Sequence, residues 1–260
     1  MTPRVLLLGG LDPSGGAGIT VDATVAALHH VEPLPIALLL TEQNRRRFVR
    51  SEPVPADCWR RAMHDVLADG DVHAVKVGLI GDPVLARGVA RELAPLRGRA
   101  PIVIDPVLSA TAGGLLPPPG LVDAYREVLL PLATLLTPNH PELGALGGGD
   151  VRNVLAAGAG AVLQKGGHDA APHCEDVLWH GRERLAFRRE RLPCGPVRGT
   201  GCALAAAIAA SLARGVALAE ACRRSGDWLA ALLRALGPAA ADALPRLLPF
   251  GRAGRIAADD

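Results

Sequence analysis

Residues 5–18 read VLLLGGLDPSGGAG, and this stretch decides the fold. Its first four residues are apolar, and a glycine-rich turn then leads directly into a helical pattern over residues 18–29. A short, continuously apolar run is typical of a strand that is buried on both faces of a parallel sheet. The stretch therefore predicts a strand, a turn and a helix of an open α/β sheet, with the turn at the carboxyl end of the strand.

The same alternation of strand-like runs and helical patterns continues along the chain. The further strand-like runs are 36–40, 74–77, 102–104, 134–136 and 161–163, and the further helical patterns are 56–68, 83–95, 120–131 and 151–158. Strands that alternate with helices predict a doubly wound domain. We therefore expect a three-layer α/β/α, Rossmann-like fold with a mostly parallel central sheet.

The C-terminal part departs from this alternation. Segments 176–180 and 185–191 flank a polar, glycine-containing turn and predict a small β-hairpin. Two long helices are then predicted at 201–213 and 218–236, where glycines give plausible stop signals. Because no linker separates these parts, we expect a single domain over residues 1–250 and an irregular tail over 251–260.

The composition excludes several classes of function. The chain has 260 residues and a formal net charge of +2, so it has no general affinity for nucleic acid or anionic membranes. No apolar run is long enough to span a bilayer, and the first one is too short for a signal peptide. The five cysteines form no CxxC pair, which argues against a disulfide framework and predicts a reducing, cytoplasmic location.

Two turns are candidate ligand sites. The turn at residues 9–18 carries Asp12 and Ser14 but matches neither the P-loop nor the GxGxxG spacing. The second segment, Arg198-Gly199-Thr200-Gly201-Cys202, precedes an Ala-rich helix. Its backbone amides and the helix dipole suit a phosphoryl group, whose developing negative charge they would stabilise.

Cys202 has two interpretations. A thiol at a helix N-terminus has a pKa below the usual value of about 8.5, and a thiolate there could take the proton of an attacking hydroxyl. Alternatively, Cys202 is a small residue that packs the first turn of the helix. Chemistry alone does not choose between the two.

Polar side chains also follow three of the predicted strands. Asp105 ends one strand, Asn139 and Glu142 follow the next, and Lys165 ends a third just before the segment Gly166-Gly167-His168. Carboxylates at the carboxyl edge of a sheet suit a magnesium ion that keeps most of its waters, and the lysine could reach nucleotide phosphates. Each acid alone is better explained as a cap or a turn residue, but together they indicate a site.

Gln43 follows the second predicted strand, within a basic segment that ends in Arg45-Arg46-Arg47. Its amide offers an acceptor and two donors in one plane, which suits the edge of a heteroaromatic ring. The arginines could hold phosphates. For Arg46 and Arg47 we prefer the interpretation of a solvated loop.

In this order, these motifs resemble the hydroxymethylpyrimidine/phosphomethylpyrimidine kinase family of the ribokinase-like superfamily. The resemblance runs from about Val5 to the helix after Gly215. It rests on residues 12–18 with Asp22, on Gln43-Asn44, and on segments 75–79, 105–107, 137–142, 165–168 and 199–202. The ordered set is specific, because related sugar kinases usually carry Asp where this chain has Cys202.

The resemblance implies an ATP- and Mg²⁺-dependent kinase of a ribokinase-like fold. Its implied substrates are 4-amino-5-hydroxymethyl-2-methylpyrimidine and its monophosphate in thiamine biosynthesis, and the family is usually homodimeric. The implied site residues are Cys202 as base with Gly199, Thr200 and Gly201 as anion hole; Gln43, Gly10, Asp22, Leu79 and Val107 for the pyrimidine; Lys165 and Asn139 for ATP; and Asp105 and Glu142 for magnesium.

Five residues depart from the family's pattern: Leu11, Glu42, Arg45, Arg198 and Ala203. They cluster around the expected substrate and phosphate, so the exact substrate stays open. One alternative is a kinase for pyridoxal or a related B6 vitamer. Another is a non-catalytic ligand-binding relative, which the retained acids, lysine and cysteine disfavour. A dinucleotide-dependent oxidoreductase is disfavoured by the missing GxGxxG.

Overall fold

The computed structural model describes residues 2–108, 117–167, 173–240 and 244–253. Within them, one nine-stranded sheet has the order β3-β2-β1-β4-β5-β6-β7-β8-β9. The strands are β1 (Arg4–Leu11), β2 (Glu32–Gln43), β3 (Phe48–Pro53), β4 (Ala74–Val77), β5 (Ile102–Ile104), β6 (Leu135–Leu136), β7 (Ala161–Gln164), β8 (His173–His180) and β9 (Glu183–Glu190). Each strand predicted from the sequence is present.

The six central strands are parallel to one another, and in spatial order they are β2, β1, β4, β5, β6 and β7. Strand β3 at one end and strands β8 and β9 at the other are antiparallel to their neighbours. The mostly parallel sheet is therefore confirmed. The predicted C-terminal hairpin is β8–β9, and it extends the main sheet because β8 pairs with β7.

Helices cover both faces of the sheet. They are α1 (Gly18–Leu28), α2 (Ala56–Ala68), α3 (Pro83–Leu93), α4 (Leu121–Ala124), α5 (His140–Gly147), α6 (Val151–Ala156), α7 (Thr200–Ala213), α8 (Leu218–Leu236) and α9 (Phe250–Ala253). Helices α2 to α6 share one core with the sheet, and α1, α7 and α8 lie on the opposite face. The predicted three layers are confirmed.

The two cores follow from the alternation of side chains along a strand. Leu6 and Leu8 of β1 point into the core that contains Trp59 and Met63, whereas Val5 and Leu7 point into the core packed by α7. All four leucines and valines of this run are fully buried. The continuous apolar run therefore reflects burial on both faces.

Before the C-terminal tail, the sequence analysis missed β3 and α5. Strand β3 is a polar edge strand whose residues are mostly exposed, so it lacks the apolar signal of a buried strand. Helix α5 is short, and its N-cap, Asn139, lies in a segment that we interpreted as a candidate site, with a cap or a turn as the alternative. The predicted helix over 120–131 is interrupted: α4 passes into a π-helical segment, Tyr125–Leu129, and then a 3-10 turn.

The tail also differs from the prediction. Residues 251–253, which we expected to be irregular, complete helix α9, while residues 254–260 and His168 lie outside the described residues. Across the described ranges, no helix is both long enough and apolar enough to cross a membrane.

Candidate active site

A cavity of about 740 Å³ opens at the carboxyl edge of the parallel strands, between the sheet and the start of α7. Every site residue that the family resemblance implies lines this cavity, whereas Asp12 and Ser14 of the glycine-rich turn are not among its lining residues. The carboxyl ends of parallel strands meet at one edge of a sheet, which explains how segments distant in the sequence converge.

The glycine-rich turn and the start of α7 pack against each other through their backbones. Gly18 has a φ of +62° and Gly199 a φ of +74°. A Cβ on Gly18 would collide with the carbonyl oxygen of Gly10, and one on Gly199 would collide with that of Gly16. Glycine is required at both positions by the positive φ and by the close approach.

Helix α7 begins at Thr200, and no side chain of the described residues caps it. The first amides of a helix have no partner within the helix, and together with the helix dipole they favour an anion. Thr200, Gly201 and Cys202 line the cavity at this point. The arrangement is suited to a phosphoryl group.

A lysine and two carboxylates face these amides. The Lys165 Nζ lies 2.7 Å from the Asp105 Oδ1 and 3.9 Å from the Glu142 Oε2. The Thr137 hydroxyl lies 3.1 Å from the same Asp105 oxygen. A Cβ on Gly201 would lie 3.4 Å from the Lys165 Nζ and 3.7 Å from the Asp105 Oδ2. The lysine predicted to contact phosphate is thus held by Asp105 beside the helix start.

The charges of this cluster follow from burial and from mutual attraction. Burial opposes the charged forms of Asp105 and Lys165, but attraction to their charged neighbours outweighs it, lowering the pKa of Asp105 and raising that of Lys165. For Glu142, burial raises the pKa to about 7, against the opposing pull of Lys165. At neutral pH, Asp105 and Lys165 are therefore charged and Glu142 is close to its midpoint.

Glu142 and Asn139 form a capping box at the start of α5. The Asn139 Oδ1 accepts a hydrogen bond from the Glu142 backbone N–H at 2.8 Å, and the Glu142 Oε2 accepts one from the Asn139 N–H at 2.8 Å. Such a box satisfies two helix-terminal amides reciprocally. The cap that we weighed as the alternative explanation is therefore real, and it also fixes the Glu142 carboxyl in the cavity.

The donor set decides what kind of metal this site could take. Among the described residues, no group of three or more His, Cys, Asp or Glu side chains could hold a metal ion. Asp105 and Glu142 nevertheless converge on one point, the ammonium of Lys165. Two carboxylates fit a magnesium ion whose other ligands are phosphate and water.

Lys76 is a buried residue that the sequence analysis missed. It lies inside β4, and its Nζ is 2.7 Å from the Asp22 Oδ2, with both side chains fully buried. Burial raises the pKa of Asp22 to about 6, against the attraction of Lys76. The signal was present in the sequence, because a lysine within the apolar run AVKV needs a counter-charge.

Asp22 was predicted to contact the pyrimidine. One of its carboxylate oxygens binds Lys76, and the other, Oδ1, is buried without a hydrogen-bond partner among the described residues. A buried acceptor of this kind is costly unless a ligand or water supplies a donor. The carboxyl of Asp22 therefore has one acceptor available for a ligand.

Cys202 lies in the first turn of α7 and lines the cavity. Burial raises the pKa of the thiol to about 11, although Lys76 pulls in the opposite direction. Our prediction that the helix N-terminus lowers the pKa of Cys202 is therefore wrong. Desolvation of a thiolate among Asp22 and Asp105 outweighs the favourable position at the helix N-terminus.

Gln43 is the last residue of β2, whereas we expected it to follow the second strand. Its Nε2 donates to the Thr41 Oγ1 at 2.9 Å, and its Oε1 accepts from the Arg198 Nη2 at 2.6 Å. Leu79 lies beside Gly10, where a Cβ would approach its Cδ2 to 3.2 Å. Leu79 and Val107 line the same cavity as Gln43, and their apolar side chains are suited to packing against a flat ring.

Arg198 was noted as a departure from the family pattern and not as a site residue. Its guanidinium is almost fully buried, donates to Gln43 and to the Asn44 carbonyl, and lies 3.6 Å from the Asp12 Oδ2. The turn at residues 44–47, which follows Gln43 in the chain, is exposed, as expected for Arg46 and Arg47.

The far end of the cavity was not predicted. It is lined by Leu229, Ala230 and Leu233 of α8 and by Leu192. Arg189 borders it and is held by Asp176 at 3.2 Å and Asp227 at 2.9 Å. These apolar side chains are suited to packing against a nucleobase, but they are scattered along the sequence, so no local motif predicted them.

The comparisons with known proteins agree with this geometry. The family model described as phosphomethylpyrimidine kinase matches residues 12–243. A hydroxymethylpyrimidine/phosphomethylpyrimidine kinase of Rhizobium meliloti (strain 1021) is 36% identical over 246 residues, which cover 90% of this chain and 92% of that protein.

Two solved structures share the fold. A Bacillus subtilis pyridoxal kinase, solved as an ADP complex, has a TM-score of 0.80 and 26% identity, with coverage of 89% of this chain and 92% of that one. A phosphomethylpyrimidine kinase from Clostridium difficile 630 has a TM-score of 0.75 and 25% identity, with coverage of 89% and 99%. The predicted ribokinase-like fold is confirmed.

Proposed function

The chain belongs to the phosphomethylpyrimidine kinase family, and from that premise we propose what its site does. It transfers the γ-phosphoryl group of ATP to 4-amino-5-hydroxymethyl-2-methylpyrimidine and then to the monophosphate product, in thiamine biosynthesis. One observation carries the proposal: the uncapped start of α7, the Lys165–Asp105 pair and the Gln43 amide line a single cavity. A phosphate site, a neutralising charge and a ring-binding edge are thereby adjacent.

On the acceptor side, the Gln43 amide binds the edge of the pyrimidine, and Leu79 and Val107 pack against the ring. The hydroxymethyl group then faces Cys202 at the start of α7. The alcohol oxygen attacks the γ-phosphorus as the bond to the ADP oxygen breaks, and the Cys202 thiolate receives the alcohol proton. In the second reaction an oxygen of the monophosphate is the attacking atom.

On the donor side, the protein acts mainly through charge. Phosphoryl transfer passes through a loose transition state, so positioning and electrostatic stabilisation supply most of the catalysis. The amides of Thr200, Gly201 and Cys202 stabilise the oxygens of the migrating group. Lys165 neutralises charge on the phosphates, and the apolar end of the cavity near Leu229 takes the adenine.

Magnesium is part of the proposal. Asp105 and Glu142 would hold the ion, chiefly through its waters, and Asn139 supports Glu142 through the capping box. When bound, magnesium supplies positive charge that neutralises the phosphates. Because Glu142 has a pKa of about 7, its full negative charge is present only above neutral pH.

A B6-vitamer kinase is the second candidate. It is favoured by the Bacillus subtilis structure, which has a similar identity and TM-score to the phosphomethylpyrimidine kinase structure. Pyridoxal also carries a hydroxymethyl group on a flat heteroaromatic ring. The sequence relatives favour the pyrimidine, since the Rhizobium meliloti kinase is more similar to this chain than either structure.

Product analysis by mass spectrometry tests the proposal. Purified protein with ATP and Mg²⁺ should convert the hydroxymethylpyrimidine to its monophosphate and diphosphate. A parallel reaction with pyridoxal should give much less phosphorylated product. Exclusive phosphorylation of pyridoxal would establish the second candidate, and no product from either alcohol would contradict a kinase function.

We also propose a homodimer located in the cytoplasm. Leu11, Leu40 and Val49 are exposed apolar residues on or beside the β2–β3 edge, where a second copy would cover them. The free thiols of Cys58, Cys202 and Cys222 are in keeping with a reducing compartment.

A further inference from the structure

Arg198 connects two parts of the proposed site, Gln43, which would bind the ring, and the start of α7, which would bind the phosphate. It immediately precedes Gly199, the N-cap of α7, and its guanidinium donates a hydrogen bond to the Gln43 side chain. The inference drawn from it rests on the proposed function, because it concerns which ring edge the Gln43 amide accepts.

Arg198 is held in place from several sides. Its backbone N–H donates to the Arg246 carbonyl at 2.9 Å, and its Nη1 donates to the Asn44 carbonyl at 2.8 Å. The Asp12 carboxylate lies 3.6 Å from Nη2. Gly16 packs beside it, since a Cβ there would lie 3.4 Å from the Arg198 Nε. The position of the donor that faces Gln43 is therefore fixed.

The guanidinium also fixes which end of the Gln43 amide faces it. Arginine has only donors, so the atom of Gln43 at 2.6 Å must be the carbonyl oxygen. A flipped amide would place an NH₂ group against the guanidinium. That arrangement would lose a charge-assisted hydrogen bond and leave two donors facing each other.

Thr41 imposes the same orientation from the other side. Its hydroxyl donates to the Leu11 carbonyl at 2.7 Å, which uses its only proton. The Thr41 oxygen can then only accept, so it binds the Gln43 NH₂ group at 2.9 Å. Arg198 and Thr41 therefore independently select one of the two amide orientations.

We propose that Arg198 is a positioning residue that sets ring selectivity by locking the Gln43 amide in one orientation. The locked amide has one N–H and one lone pair left, in a fixed order along its edge. A complementary ligand edge carries an acceptor nitrogen beside an amino donor. This is the N3 and 4-amino edge of the aminopyrimidine, whereas the 4-oxo analogue carries the reverse pattern and pyridoxal has no such edge.

The test compares the binding of two pyrimidines by titration calorimetry. The probes are 4-amino-5-hydroxymethyl-2-methylpyrimidine and its 4-oxo counterpart, titrated into the whole protein. The wild type should favour the amino form. In Arg198→Met only the neutral contact with Thr41 still favours one amide orientation, so turning the amide costs less and the ratio of the two dissociation constants should fall by about tenfold or more, as expected for losing a hydrogen bond to a charged group.

Two further variants keep the test decisive. Thr41→Val removes the other constraint, should reduce the same ratio by a smaller factor, and serves if Arg198→Met does not fold with Asp12 uncompensated. Arg50→Met is the matched control, because Arg50 lies on β3 and pairs at the surface with Glu42 and Glu52. Its ratio should equal that of the wild type.

The outcomes separate the inference from the proposed function. An unchanged ratio in Thr41→Val and in any folded Arg198→Met would overturn the inference, as would a wild type that phosphorylates the pyrimidine but binds both forms equally. A wild type that binds and phosphorylates neither pyrimidine contradicts the proposed function, and the inference with it. If a variant lost affinity for both probes by one common factor, Arg198 would have only a structural role, and the inference would also be overturned.

Discussion

At the scale of single residues, burial and ion pairing shift the pKa values of the charged groups in the site in opposite directions. Lys76 and Asp22 form a fully buried pair, whereas Lys165 is shared between Asp105 and Glu142. Buried charges of this kind are tolerated because each has a partner. The thiol of Cys202 has no such partner of opposite charge within hydrogen-bonding distance in the described part of the chain, so it remains protonated at neutral pH.

The pKa of Cys202 leads to a prediction about pH dependence. If its thiolate receives the alcohol proton, turnover should rise about tenfold per pH unit between pH 8 and 9.5, because a thiol with a pKa of about 11 is mostly protonated there. This range lies above the pKa of Glu142, about 7, so ionisation of Glu142 does not contribute. Steady-state turnover at saturating ATP and pyrimidine measures the slope.

Two variants control this experiment. Cys202→Ala should lower turnover by roughly 10²–10⁴ at pH 8, the usual cost of losing a general base, and should have no slope. Cys58→Ala removes an exposed thiol and should behave as the wild type. A wild-type rate that is flat above pH 8, or the same slope in Cys202→Ala, would refute the role of Cys202 as base.

At the scale of secondary-structure elements, helix starts position much of the site. Helix α7 presents its first amides to the cavity, and α5 begins with a capping box that holds Glu142. Helix α6 also begins with a side-chain cap, from Asp150, but it lies away from the catalytic cavity. The same local device thus serves stability in α6 and both stability and the site in α5.

This pair of caps allows a matched test. Asn139→Ala removes the cap of α5 and should lower the free energy of unfolding by about 1 kcal/mol. Because Glu142 loses its support, the Mg²⁺ concentration for half-maximal turnover should rise by about tenfold. Thermal melts and magnesium titrations of the reaction rate measure the two effects.

Asp150→Ala is the control for that variant. It removes the cap of α6, so it should lower the melting temperature while the magnesium dependence stays that of the wild type. If both variants shifted the magnesium requirement equally, the capping box would not act through Glu142. If Asn139→Ala left it unchanged, the assignment of Glu142 to magnesium would be contradicted.

At the scale of the whole molecule, the two ends of the sheet are antiparallel extensions of a parallel core. The β2–β3 edge carries Gln43 and also exposes Leu40, whose side chain is opposite Glu52 in the pairing. A long edge with exposed apolar residues is a natural place for pairing with another chain. The proposed dimer would therefore involve the same edge that carries the ring-binding residue.

Leu40→Glu tests this arrangement. Leu40 is 51% exposed, so the substitution should be tolerated by the fold but should place a charge in the proposed interface. Light scattering coupled to gel filtration should show a dimer for the wild type and a monomer for the variant. Val84→Glu, on α3 and 80% exposed, is the control and should remain dimeric. A monomeric wild type would contradict the proposal.

The sequence by itself determined the layers and the position of the site. Residues 5–8 specify a strand buried on both faces, because no polar side chain interrupts them, and glycines 18 and 199 specify close backbone approach. The polar residues that follow each strand were expected to converge, since parallel strands end at one edge. All of these features depend on the chemistry of neighbouring residues and on the spacing of apolar residues along the chain.

Only the tertiary structure decided which charges meet. The pairing of Lys76 with Asp22, of Arg198 with Gln43, and the raised pKa of Cys202 all depend on burial and on neighbours far away in the chain. The polar strand β3 was missed for the same reason, because its pairing with β2 is what defines it. Desolvation and long-range pairing are properties of the packed molecule, so local sequence patterns do not encode them.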